Sequence, residues 1–325
     1  MDRRKALIFA GMAAAVGSTS ILAGCGGGDD APQPTSGQAP APNIVELAKA
    51  TPSLSILVKA VVAADLVTTL SGAGPFTVFA PNNDASVALL GELKTTKDAL
   101  LANKALLTAV LTYHVLGAKV EKAGIPLGKA ITPLQKSVFK IEAPGGVLTI
   151  TDGRNRTSKI LATDVPASNG VVHIIDKVIL PADKDIVATA QSISDFTTLV
   201  TAVSNAELVA TLQGTGPFTV FAPTNAAFAA SLADLEVTAV GDLLTTAARP
   251  LLTKVLKYHV VSGRVLKADI TPNTPITTVE GGTFSISPAF VITDGRNRSI
   301  NITKTDVFAS NGVIHVVDKV ILPKP

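Results

Sequence analysis

The hexapeptide FTVFAP occurs at Phe76–Pro81 and again at Phe218–Pro223, and this duplication indicates the fold. Three further blocks recur in the same order: TDGRNR at 151–156 and 293–298, ASNGV at 167–171 and 309–313, and DKVILP at 176–181 and 318–323. The second member of each pair lies 142 residues after the first. Because four blocks recur in one order, the sequence predicts two tandem copies of a single domain.

The spacing of the blocks predicts the domain boundaries. We expect the first domain at residues 43–181 and the second at 185–323. Only a few residues, such as Asp183 and Lys184, join them, which favours a fixed or hinged pair over independent beads. Residues 25–42 are rich in Gly and Pro and poor in apolar side chains, so we expect a disordered spacer there.

The first 24 residues are typical of a signal peptide, with three basic residues at positions 3–5 followed by an apolar stretch at 6–16. The segment LAGC at 22–25 resembles the bacterial lipobox, which implies acylation of Cys25 and anchoring to a membrane. The alternative is a lone thiol in an ordinary secreted protein. Cys25 is the only cysteine, so its acylation would leave no thiol for a disulfide, a metal site or a nucleophile.

Composition argues for a globular chain without a nucleic-acid partner. The chain is 47% hydrophobic but only 4% aromatic, so aliphatic residues must form its cores. The net charge of +3 arises largely in the predicted signal peptide, and its removal leaves 25 basic against 24 acidic residues. A nearly neutral chain lacks the positive charge that nucleic-acid binding requires.

Each copy is predicted to be helical in its first half and extended in its second. Apolar residues recur at three- and four-residue steps at 44–62 and again at 97–111, as amphipathic helices require. Residues 147–150 and 171–180 are rich in β-branched side chains, which favours strands. Helices followed by strands predict an α+β domain with a mostly antiparallel sheet.

The order of the motifs resembles the fasciclin-like domain family. The motifs GPFTVFAPxN, then YH, then ASNGVxHxxDKVILP occur in both copies, and the resemblance covers essentially residues 43–323. It implies a helical layer packed on a seven-stranded, wedge-shaped sheet. It also implies an extracellular adhesion or matrix-binding module without enzymatic activity. Copy one departs from the pattern, because Ser86 stands where copy two has the more typical Phe228.

Several motif residues are predicted to have structural roles. Asn82 and Thr224 follow FTVFAP and are placed to cap the next helix. The Asn-Gly pairs at 169–170 and 311–312 are typical of tight turns with positive φ.

The four histidines occupy duplicated positions, two per copy. They are His114, His173, His259 and His315. This pattern raises a metal-site hypothesis, but no duplicated third ligand occurs at a recognisable spacing, so we favour buried, hydrogen-bonded core histidines. For Tyr113-His114 and Tyr258-His259 the family resemblance adds receptor binding as a second interpretation.

The best candidates for exposed binding residues lie in the TDGRNR blocks. We expect Asp-Gly hairpin turns from which four arginines project, at Arg154, Arg156, Arg296 and Arg298. Guanidinium groups suit carboxylates, sulfates or phosphates on a protein or polysaccharide. The alternative is a charged turn that only keeps the surface soluble.

Together these patterns predict a lipid-anchored adhesion protein of the cell envelope, on the outer membrane or the periplasmic face of the inner membrane, binding a surface protein or polysaccharide. A periplasmic small-ligand or metal-binding protein that uses the paired histidines is the rival hypothesis. A hydrolase is a third, although neither a nucleophile elbow nor a phosphate-binding glycine loop is recognisable. We predict no cofactor.

Overall fold

The computed structural model describes residues 41–325. The predicted signal peptide, Cys25 and nearly all of the predicted spacer therefore lie outside the described residues. The described residues form one compact unit, in which we call residues 43–181 domain 1 and residues 185–323 domain 2. Within the described range, no helix combines the length and apolar character that a membrane crossing requires.

Domain 1 begins with helices and ends with strands. Its helices are α1 (Ile44–Ala50), α2 (Ser55–Ala63), α3 (Val67–Leu70), α4 (Asn83–Glu92), α5 (Lys97–Ala102) and α6 (Lys104–Tyr113). Its strands are β1 (Phe76–Pro81), β2 (Val115–Leu116), β3 (Lys140–Glu142), β4 (Thr149–Thr151), β5 (Thr157–Ala167) and β6 (Gly170–Ile175).

Domain 2 repeats this order. Its helices are α7 (Ile186–Gln191), α8 (Thr197–Asn205), α9 (Val209–Leu212), α10 (Asn225–Ala230), α11 (Val240–Leu243) and α12 (Arg249–Tyr258). Its strands are β7 (Phe218–Pro223), β8 (Val260–Ser262), β9 (Ile276–Thr277), β10 (Thr283–Ile286), β11 (Val291–Thr293), β12 (Ser299–Ala309) and β13 (Gly312–Val317).

Each domain contains one curled, mixed sheet under its helices, so the predicted α+β class is confirmed. The strand orders are β2-β1-β6-β5-β4-β3 and β8-β7-β13-β12-β11-β10-β9. The FTVFAP strand runs parallel to the last strand of its domain, and the other pairings are antiparallel. Domain 2 has the seven strands that the resemblance implies. Domain 1 has six, because Ile131 and Phe139 form only an isolated bridge where β9 pairs with β10.

The predicted helix caps are confirmed. The Asn82 side chain accepts a hydrogen bond from the Ala85 amide at 2.8 Å, and the Thr224 hydroxyl accepts one from the Ala227 amide at 3.1 Å. These bonds satisfy amide donors that the first turn of a helix otherwise leaves unpaired. The end of the FTVFAP strand is thereby fixed to the start of α4 or α10.

The positive φ predicted for the Asn-Gly pairs is wrong, since neither Asn169 nor Gly170 has one. Glycine is required at position 170 for a different reason: a Cβ there would lie 2.0 Å from the carbonyl oxygen of Phe76 on the neighbouring strand. The Asn169 amide donates to the carbonyls of Leu70 and Gly72, each at 2.8 Å. The motif therefore connects the β5–β6 turn to the end of the helical layer.

The difference between Ser86 and Phe228 affects packing. Phe228 is buried in the core of domain 2. Ser86, at the corresponding position of domain 1, lines an apolar cavity of about 60 Å³ between α2, α4, α5 and α6. The missing aromatic ring thus leaves unfilled space in domain 1.

Candidate functional site

His114 and His259 are buried and use both ring nitrogens. Nδ1–H of His114 donates to the Val110 carbonyl at 2.7 Å, and Nε2 accepts from the Ile179 amide at 3.1 Å. His259 makes the same two contacts in domain 2, at 2.7 and 3.0 Å. Burial lowers the pKa of each ring to about 4. Each neutral histidine therefore joins a helix end to the segment after the last strand.

His173 and His315 are also buried and form a second duplicated arrangement. Nδ1 of His173 accepts from the Asp164 amide at 3.2 Å, and Nε2–H donates to the Val120 carbonyl at 2.9 Å. His315 makes equivalent bonds to Asp306 and Val265. Over residues 41–325, no cluster of three or more His, Cys, Asp or Glu side chains is placed to hold a metal ion. The geometry gives the metal hypothesis no support.

The tyrosines of the YH dipeptides are fully buried. The Tyr113 hydroxyl donates to the Val138 carbonyl and accepts from the Gly153 amide, both at 2.8 Å. The Tyr258 hydroxyl donates to the Thr283 carbonyl at 2.6 Å, and burial raises its pKa to about 12. The side chains of both YH dipeptides therefore lie inside the domains rather than on their surfaces.

We expect the buried histidines to make the protein sensitive to acid. Since the folded-state pKa of His114 and His259 is about 4 and the ordinary value is 6.5, the unfolded chain binds more protons between these pH values. Stability is therefore intact above pH 6.5 and falls as the pH decreases towards 4, by on the order of 3 kcal/mol per histidine. Urea unfolding at several pH values measures this slope. An unchanged slope in His114→Gln/His259→Gln would contradict the assignment.

The TDGRNR block is organised by a buried aspartate. Oδ1 of Asp152 accepts from the amides of Arg154 and Arg156 at 3.0 and 2.9 Å, and Oδ2 accepts from the Leu180 amide at 2.9 Å. Oδ2 also accepts from Nε and Nη2 of Arg156 at 3.0 and 2.7 Å. Asp294 repeats all these contacts in domain 2. The block is therefore a structural turn built around a desolvated carboxylate.

The prediction that four arginines project from the turns is wrong for Arg156 and Arg298. Both are half-buried, because each compensates the charge of the buried aspartate in its own turn. Each also pairs with a second carboxylate at 2.6 Å, on Glu92 or Asp234, and donates to a backbone carbonyl at 2.7 Å. Arg296 is exposed. Arg154 is 29% exposed and ion-paired with Asp183 at 3.1 Å.

A buried ion pair connects the two domains. Nζ of Lys140 lies 2.8 Å from Oδ2 of Asp306, and the two side chains are only 7% and 1% exposed. Nζ also contacts Glu142 at 3.0 Å. Burial alone would lower the pKa of Lys140, but the hydrogen bonds and negative charges of Asp306 and Glu142 raise it above its ordinary value. Nothing in the sequence analysis predicted this pair.

Further contacts surround the ion pair. The Asn155 amide donates to the Phe308 carbonyl at 3.0 Å, and the Phe308 amide donates to Oδ1 of Asn155 at 2.6 Å. Val138 of domain 1 packs with Leu266, Phe308 and Val313 of domain 2. We call these contacts, together with Lys140–Asp306, the domain joint. They support the expectation of a fixed or hinged pair over independent beads.

Domain 2 contributes part of strand β12 to the domain joint. Domain 1 carries the corresponding part of β5, which is exposed. Asp306 and Phe308 of β12 are buried in the domain joint, whereas the corresponding Asp164 and Pro166 of β5, which we call the free face, are exposed. In both copies the aspartate Oδ1 accepts a backbone amide at 2.8 Å, from Lys122 for Asp164 and from Lys267 for Asp306. The carboxylate of the free face is therefore held like that of the domain joint but remains accessible.

Domain 2 does not repeat the residues that domain 1 contributes to the domain joint. By strand register, Ser285 of domain 2 corresponds to Lys140. Thr283 corresponds to Val138, because each carbonyl accepts the hydroxyl of its domain's buried tyrosine. In the free face, Pro166 replaces Phe308 and has no amide to donate. Domain 2 of a second molecule thus lacks the lysine and the apolar residue that domain 1 supplies at the domain joint.

The fold and the duplicated contacts define a pair of α+β domains with mixed sheets, and comparison with known proteins gives the family. A model of the fasciclin domain matches residues 52–181 and 194–323. The chain therefore belongs to the fasciclin domain family and contains two copies of the domain.

Relatives in this family come from animals and bacteria. Transforming growth factor-beta-induced protein ig-h3 of Sus scrofa is 32% identical over 257 residues, which cover 78% of this chain and 35% of that protein. Protein sll1483 of Synechocystis sp. is 44% identical over 142 residues, which cover 42% of this chain and 73% of that protein. The chain thus spans about a third of the length of the ig-h3 protein.

One solved structure that is similar to the chain is a FAS1 domain pair from the insect cell adhesion molecule Fasciclin I. It aligns with a TM-score of 0.43 and 18% identity, over 83% of this chain and 97% of that chain.

Proposed function

We propose that this chain is an exported, lipid-anchored adhesion protein whose fasciclin domains bind a protein or polysaccharide outside the cytoplasm. Adhesion is what the family resemblance implies, and the free face is the observation that carries the proposal. Domain 2 uses its copy of this face, with Asp306, to contact domain 1. The copy on domain 1, with Asp164, is exposed. The Asp164 carboxylate of this face is thus accessible to a partner.

Lipid anchoring through Cys25 is the second part of this proposal. Acyl chains on Cys25 would contribute about 0.8 kcal/mol per buried methylene, and two or more chains hold a protein stably on a bilayer. A tethered display of many copies raises the effective concentration at a surface, so weak individual contacts are sufficient. Residues 25–42 would hold the domains away from the envelope, on the outer membrane or the periplasmic face of the inner membrane. No catalytic step is part of this function.

Replacement of Cys25 by Ser is expected to abolish acylation of the protein. Without the thiol no acyl chain can be attached at this position. Metabolic labelling with a palmitate analogue, followed by recovery of the protein from fractionated cells, measures the change. A Cys25→Ser protein that takes up as much label as the unaltered chain would contradict lipid anchoring.

The role of the free face is tested with beads that carry residues 41–325. We expect beads with the unaltered chain to be retained on envelope or matrix preparations, and Asp164→Asn to reduce that retention severalfold. Asp84→Asn removes another exposed carboxylate of domain 1 and serves as the matched control. Equal retention of the Asp164→Asn and unaltered chains would exclude the free face as the contact surface.

A further inference from the structure

A polar crevice of about 290 Å³ lies beside the domain joint. Its walls are residues 153–155 of domain 1, the connecting residues Asp183 and Lys184, Thr189 of α7 and Ser192 just after that helix, with Phe308 completing the lining. This volume lies at the lower end of the range for small-molecule pockets. It suits a single sugar unit better than an extended peptide.

The cations of the crevice have unused hydrogen-bonding capacity. Arg154 is ion-paired with Asp183, yet its Nε is buried and has no hydrogen-bond partner among residues 41–325. Buried guanidinium N–H groups are normally satisfied, so an orphaned donor indicates a place for an acceptor. Lys184 adds a second positive charge. With two cations and one carboxylate, the crevice favours an anionic ligand.

The remaining lining offers one exposed hydroxyl group. The Ser192 hydroxyl donates to the Thr189 carbonyl at 2.7 Å, so its oxygen can still accept a hydrogen bond, whereas Thr189 and Phe308 are only 7% and 2% exposed. A sugar hydroxyl is a suitable donor to this oxygen. The lining thus accommodates an oxyanion carried on a unit that has hydroxyl groups.

The crevice depends on the pairing of the two domains. Arg154 belongs to domain 1, whereas Phe308 and Ser192 belong to domain 2. The corresponding arginine of domain 2, Arg296, is exposed, and its Nη1 donates to the Asp234 carbonyl at 2.9 Å. Arg296 thus provides a control within the same chain.

We propose that this crevice binds a carboxylated or sulfated sugar unit of an anionic polysaccharide, which rests on the proposed adhesion function and names its ligand class. The Arg154 guanidinium takes the oxyanion, and Lys184 strengthens the attraction. The Ser192 oxygen accepts a hydrogen bond from a sugar hydroxyl. The tandem arrangement is then required for binding, because neither domain alone contains the site.

The test is calorimetric titration of the purified full chain with glucuronate and with a sulfated glucosamine, with glucose as the neutral control. We expect both anionic sugars to bind and glucose not to bind. Loss of the charge-assisted contact in Arg154→Gln should weaken binding about tenfold. Arg296→Gln should change it less than twofold. Carboxylate and sulfate probes together show which oxyanion is preferred.

A variant that keeps the positive charge separates the effect of charge from the effect of guanidinium geometry. Arg154→Lys retains the charge but loses the planar fork, so we expect binding intermediate between the unaltered chain and Arg154→Gln. Urea midpoints verify folding. Equal weakening by Arg154→Gln and Arg296→Gln, glucose binding as tight as glucuronate binding, or no anionic sugar binding would overturn the proposal.

Failure of this site and failure of adhesion are distinguishable. If the domains are needed for cell attachment but no anionic sugar binds, the crevice assignment alone is wrong. If sugar binding depends on Arg154 but attachment does not need the domains, the adhesion function is wrong and the site stands.

Discussion

Lys140→Met is expected to destabilise the domain joint by about 3–5 kcal/mol, because it leaves the Asp306 carboxylate buried without its cation. The loss should appear as unfolding of the two domains in separate steps. Urea unfolding followed by tyrosine fluorescence and by circular dichroism measures it, since each domain contains one tyrosine. Both probes should show one transition for the unaltered chain and two for the variant.

Two controls isolate the buried ion pair. Lys104→Met removes an ion pair with Asp65 whose side chains are 62% and 74% exposed, so its effect should stay below about 1 kcal/mol. Lys140→Met/Asp306→Asn removes both charges, keeps an oxygen for the Lys267 amide and tolerates the positive φ of this position, so it should recover much of the lost stability. A Lys140→Met chain as stable as Lys104→Met would show that the ion pair does not hold the domains together.

Asp152→Asn should destabilise domain 1 by about 3–5 kcal/mol, which is comparable to breaking the buried ion pair at the domain joint. An asparagine Nδ2 in place of Oδ2 would place a donor against the Leu180 amide and the Arg156 guanidinium, both of which are donors. Asp294→Asn should have the same effect on domain 2, because Asp294 repeats the contacts. Thermal unfolding monitored by calorimetry measures each loss.

Asp183→Asn is the matched control for this prediction. Asp183 pairs with an arginine of the same loop, but its side chain is 48% exposed. Its replacement should shift the free energy of unfolding by less than about 1 kcal/mol. If Asp152→Asn and Asp183→Asn have equal effects, Asp152 does not organise the turn.

The repeated motifs were sufficient to predict the two-domain α+β architecture. Duplicated blocks specify copy number, and apolar periodicity specifies helices and strands. The helix caps at Asn82 and Thr224 were predictable because a cap requires only local sequence. The role of Gly170 was not, because it depends on the approach of Phe76 from a distant strand.

The candidate sites were less predictable, since they depend on contacts distant in sequence. Arg154 and Arg296 have different environments, although the two blocks are identical. Asp152 and Arg156 lie four residues apart in the same block, so their pairing was predictable from local sequence. Lys140 and Asp306 come together only when two folded domains dock. The one hint in the sequence is that Ser285 breaks the repeat at the position of Lys140.

Attachment of cells that retain the anchor but lack the domains tests the proposed function most directly. Cells producing the complete chain are compared with cells producing a chain without residues 43–323, at matched amounts in the membrane. We expect less aggregation, biofilm formation or surface attachment when the domains are absent. Unchanged attachment across several protein and polysaccharide surfaces would contradict the proposed adhesion function.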